Sequence, residues 1–64
     1  MQLCKEYDTG RTVCLLVKLA GDFYFSRIVD RKVVDRRNLG GDEAEANKDF
    51  DSEVERVKLE EALQ

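Results

Sequence analysis

The 64-residue chain has no histidine, no proline and no tryptophan, and only two cysteines. Lack of histidine removes the commonest general base and the commonest metal ligand. Two cysteines cannot fill a four-ligand zinc site unaided. Cys4 and Cys14 are also too far apart in sequence for a redox or zinc pair of the C-x-x-C kind. Only two serines occur, Ser26 and Ser52, and neither sits in a nucleophile-elbow context. Gly40-Gly41 is followed by Asp42 and Glu43, which would repel a phosphate. Asp49, Asp51, Glu53 and Glu60 have part of a calcium-loop spacing, but Val54 stands where that loop needs glycine. No enzyme, cofactor or metal site is expected.

Long apolar runs are missing too. The longest, Val13-Cys14-Leu15-Leu16-Val17, is far short of a membrane span. Met1-Gln2-Leu3-Cys4-Lys5-Glu6 lacks the charged start and apolar block of a signal peptide. Two cysteines inside apolar patterns suit a reducing compartment better than a disulfide scaffold. A cytoplasmic protein without membrane attachment is the expectation.

What is present is charge. Charged residues make up 39% of the chain, well above the usual quarter, beside 42% hydrophobic residues, enough for a globular core. The net charge of −3 is unevenly spread: residues 1–41 carry a net +3 and residues 42–64 a net −6. Mutual attraction of the two parts within the fold is the simplest consequence.

The patterning divides at the same place. Asp8-Thr9-Gly10 and Ala20-Gly21-Asp22 are turn clusters between runs rich in Val, Leu, Phe, Tyr and Thr. Read as three-residue hairpin loops, they set Leu3 opposite Leu15 and Cys4 opposite Cys14, then Val17 opposite Phe25 and Val13 opposite Val29. One face then collects Leu3, Tyr7, Val13, Leu15, Val17, Leu19, Phe23, Phe25 and Val29, with Lys5 and Arg27 as its charged members. Asp30-Arg31-Lys32 leads into a fourth short strand at Val33-Val34-Asp35, and Gly40-Gly41 breaks the chain.

Beyond it, Asp42 with Glu45 has capping-box spacing, and acidic residues crowd the first helical turn. Ala46, Phe50, Val54 and Val57 form one stripe at helical spacing. Ser52 and Glu55 give a second cap signal, but the stripe through Phe50 favours a helix over 42–63. The expected fold is α+β: one domain over residues 1–64, with a three- or four-stranded antiparallel meander over 1–39 and a C-terminal acidic helix.

One helix covers one sheet face. The expected register leaves Cys4, Cys14, Leu16, Tyr24 and Ile28 uncovered, and contiguous exposed apolar surface in a small domain marks an interface. These five are the candidate protein-interface residues, for a homodimer or a foreign protein partner. The expected function is a non-enzymatic interaction module such as an adaptor, inhibitor or regulatory subunit. The alternative is a small nucleic-acid-associated regulator using Arg27, Arg31, Lys32, Arg36 and Arg37 beside Phe23-Tyr24-Phe25. Asp22, Asp30 and Asp35 interrupt that patch, so any nucleic-acid binding would be weak.

Overall fold

A computed structural model describes all 64 residues. Four strands, β1 (Gln2–Asp8), β2 (Thr12–Leu19), β3 (Asp22–Val29) and β4 (Lys32–Gly40), are followed by one helix, α1 (Glu43–Ala62). The strands form a single antiparallel sheet in chain order. The architecture is the expected α+β meander with a C-terminal helix, and the fourth strand runs well past Asp35, through Arg36, Arg37, Asn38 and Leu39.

The helix begins where its cap was read. The Asp42 side chain accepts a hydrogen bond from the Glu45 amide, and Glu43 and Glu45 place negative charge in the first turn, where the helix dipole favours it. Ser52 lies inside the continuous helix and caps nothing. The stripe Ala46, Phe50, Val54 and Val57 is buried throughout its length.

The hairpin registers differ from the expected ones. Leu19 pairs with Asp22, so Ala20 and Gly21 alone make the β2–β3 turn, with φ of 52° and 85°. Two successive left-handed residues are the signature of a type I′ turn, whose twist matches that of the strands. Val29 pairs with Lys32 across a second such turn, Asp30-Arg31, with φ of 51° and 69°. In the first hairpin Asp8 belongs to the strand, opposite Val13. The corner comes at Gly10, whose φ is 93° and whose amide donates to Asp8 Oδ1 at 2.7 Å. Thr9 holds the far side, its amide donating to the Thr12 carbonyl and its Oγ1 accepting from the Thr12 amide.

Both register errors are odd numbers of residues, and side chains alternate with a period of two. β3 therefore keeps its expected orientation while β2 is turned over. Thr12, Cys14, Leu16 and Lys18 face the helix, and Val13, Leu15, Val17 and Leu19 face away. A bulge at Cys4 turns Leu3 to the outer side, opposite Val17, while Lys5 and Tyr7 stay on the helix side as expected. The core comprises Cys14, Leu16, Phe23, Phe25, Ala46, Phe50, Val54 and Val57, with Tyr7 and Leu39 packed at its margins.

Half of that core comes from α1, so a chain ending at Gly41 is expected to aggregate or to lose cooperative unfolding. Phe50→Ala in the full chain should cost about 3–5 kcal/mol in chemical denaturation. At the turn, Arg31→Gly should stabilise by about 0.5–1 kcal/mol, because glycine takes the left-handed conformation without the steric cost that arginine bears.

Candidate interaction surface

The revised register relocates the candidate interface residues. Cys14 and Leu16 are fully buried under the helix and belong to the core, not to an uncovered face. Cys4 is exposed in the β1 bulge and does not pair with Cys14, whose neighbour on β1 is Tyr7. Tyr24 and Ile28 do lie on the side away from the helix, each half-buried among cross-strand neighbours. An uncovered apolar face exists, then, but β2 gives it Val13, Leu15, Val17 and Leu19 in place of Cys14 and Leu16. The signal that identifies these four is the alternation along β2 itself, once its parity relative to the helix is known.

Three cross-strand rows build this open face. Leu3, Val17, Tyr24 and Asn38 form one, Glu6, Leu15, Ser26 and Arg36 the second, and Asp8, Val13, Ile28 and Val33 the third. Leu3, Leu19 and Val33 remain 55%, 48% and 54% exposed. Around the small Ser26 side chain lies a shallow depression of about 430 Å³, lined by Met1, Leu15, Val17, Leu19, Tyr24, Ser26 and Arg36. Ser26 forms its floor, being nearly buried between its neighbours.

The charged residues on the opposite face behave differently. Lys5 pairs with Asp51 at 3.0 Å, Arg37 with Glu53 at 3.1 Å and Arg27 with Glu60 at 3.8 Å, so sheet cations meet helix carboxylates along the length of α1. Cations also lie over aromatic rings of the core and its margin: Arg37 over Phe25 at 5.2 Å, Lys5 over Phe50 at 5.7 Å and Lys58 over Tyr7 at 5.6 Å. The last turn of α1 has no basic residue of its own. There Thr9 Oγ1 donates to Glu61 and Arg11 donates to Gln64, both from the first hairpin.

This arrangement divides the five basic residues of the nucleic-acid alternative. Arg27 and Arg37 are paired with the helix, Arg31 and Lys32 are exposed at the β3–β4 turn, and Arg36 lies on the open face beside Tyr24. No group of three or more cysteine, aspartate or glutamate side chains comes together in a way that would hold a metal ion. No helix is long and apolar enough to cross a membrane. No known family model matches the chain, and comparisons with curated proteins and with solved structures give no match either.

Burial pushes the Cys14 thiol above its usual range, with Arg27 nearby drawing it partly back. The native chain should therefore present one reactive thiol, Cys4, to a thiol reagent at neutral pH, and two after unfolding. The folded state also keeps a proton that the unfolded chain releases around the ordinary thiol value of 9.0, so stability should fall as pH rises past that point. Cys14→Ala should flatten that part of the pH profile.

Proposed function

We propose that this chain is a non-enzymatic protein-interaction module of a reducing compartment, and that its working surface is the open face of the sheet. The observation that carries this reading is the composition of that face: Leu3, Val13, Leu15, Val17, Leu19, Tyr24, Ile28 and Val33 on one continuous side. A face this apolar is a poor match for water and a good one for a second protein surface. The one helix of these 64 residues does not cover it, being committed to the other side by a core of eight residues and a row of ion pairs. The nucleic-acid alternative retains Arg31, Lys32, Arg36 and Tyr24, a smaller set than the sequence suggested, since Arg27 and Arg37 are already paired.

Leu15→Glu and Val17→Glu test the reading. Both side chains are on the open face, so the variants should keep the wild-type helix signal and a cooperative melt. Association should be lost, whether with another copy or with a foreign protein, because a carboxylate in a dry interface is costly to desolvate. Leu16→Glu is the contrasting control, since a charge in the core should unfold the monomer itself. Association that survives both open-face charges would overturn the assignment of the surface.

A further inference from the structure

We infer that the open face is occupied by a second copy of this chain, packed face to face about a two-fold axis that runs parallel to the strands between β2 and β3. This rests on the reading of the open face as the working surface and goes further by naming its occupant. The middle row carries the argument. Glu6 pairs with Leu15, Leu15 with Ser26, and Ser26 with Arg36, so an acid and a base stand at opposite ends of one row, on the two edge strands. Neither Glu6 nor Arg36 makes an ion pair within its own chain, although seven other pairs form elsewhere. The other acids on this side already have hydrogen bonds: Asp8 accepts from the Gly10 amide and Asp22 from Asn38 Nδ2.

A two-fold along the strands lays β1 of one copy over β4 of the other and reverses the row. Glu6 then faces Arg36 of the second copy, and Arg36 faces its Glu6, forming two equivalent pairs. Leu15, the one apolar side chain in the row, meets the depression over Ser26. In the flanking rows Val17 meets Tyr24, and Val13 meets Ile28. Stacked sheets lie about 10 Å apart, a gap that a glutamate and an arginine span together. The other in-plane two-fold, perpendicular to the strands, would set Glu6 against Glu6 and Arg36 against Arg36, so charge selects between the two axes.

The available area is sufficient. Four strands of seven to nine residues make a face of roughly 19 by 25 Å, so two copies together remove about 1,000 Å² from water, the lower bound for a specific interface. An interface at that bound gives a dimer that dissociates on dilution.

Charge reversal tests the pairing. Sedimentation equilibrium of the full chain should show a concentration-dependent dimer. Glu6→Arg and Arg36→Glu should each weaken it by more than about tenfold, because each replaces two attractions with two repulsions. An equimolar mixture of the two variants should recover the dimer. Across the mixed interface, each of the two base-only ends of the first variant meets an acid of the second, and both attractions return. The double variant carrying both reversals should recover it as well. Circular dichroism should be unchanged for all, both side chains being exposed. A wild type that stays monomeric at every concentration would overturn the second-copy inference, while the open-face reading would still be judged by how Leu15→Glu affects binding of a foreign protein. Dimers that tolerate both single reversals, or a mixture that fails to recover, would overturn the proposed axis.

Discussion

Phe25 of the third strand and Phe50 of the helix meet edge to face, with ring centroids 6.1 Å apart. The arrangement is favourable for two quadrupoles and places both rings at the centre of the only dry layer the chain builds. Leu16 and Cys14 pack beside this pair from the second strand, and Val54 and Val57 continue it along the helix. The ion pairs at the margin are half-exposed and individually weak. Their arrangement still matters, because Lys5 and Arg37 also lie over the Phe50 and Phe25 rings, and the row of pairs fixes where along the sheet the helix rests. Within these 64 residues the sheet gives one face to this contact, and the other face carries no helix.

The division of charge between the two parts of the chain has its physical counterpart in that layer. Carboxylates of the helix stand over cations of the sheet, and Glu53, the least exposed of the paired acids, is shared between Arg37 and Arg56. Cations that belonged to one basic segment in sequence are thereby sent to different sides. Arg36 and Arg37 are neighbours in the chain, yet one lies on the apolar face and the other reaches the helix.

Much of this was legible in the residues. The first three strands and the start of the fourth follow from β-branched and aromatic runs between turn clusters, whereas Arg36 to Gly40 carry no such signal and are held in β4 by pairing with β3. The helix follows from the Asp42 cap and the four-residue stripe, each of which the structure bears out in place. The existence of an uncovered apolar face was also readable, from the count of one helix against one sheet. Which residues of the second strand occupy it was not. That depends on the parity of two hairpins, and parity depends on where left-handed residues fall. Ala20 and Arg31 hold that conformation without any side-chain signature for it, and Thr9 and Asp8 stay paired where composition suggests a loop. An error of one residue in the length of each turn was enough to exchange Cys14 and Leu16 for Leu15 and Val17.

The order of strands in the sheet also bears on how the chain folds. Each strand pairs with its immediate predecessor, so every sheet contact closes a short loop and relative contact order is low for a β-rich protein. The helix is in the opposite position. It carries a strong excess of carboxylates and lacks a cation in its final turn, so as an isolated segment it is poorly stabilised. Its counter-charges, Lys5, Arg27 and Arg37, lie on β1, β3 and β4 and are brought into line only when the sheet is assembled. These native contacts favour docking of the helix onto a sheet that is already assembled. Until the helix docks both faces of the sheet are bare, so the sheet at that stage exposes Phe23 and Phe25 on one side and Leu15 and Val17 on the other.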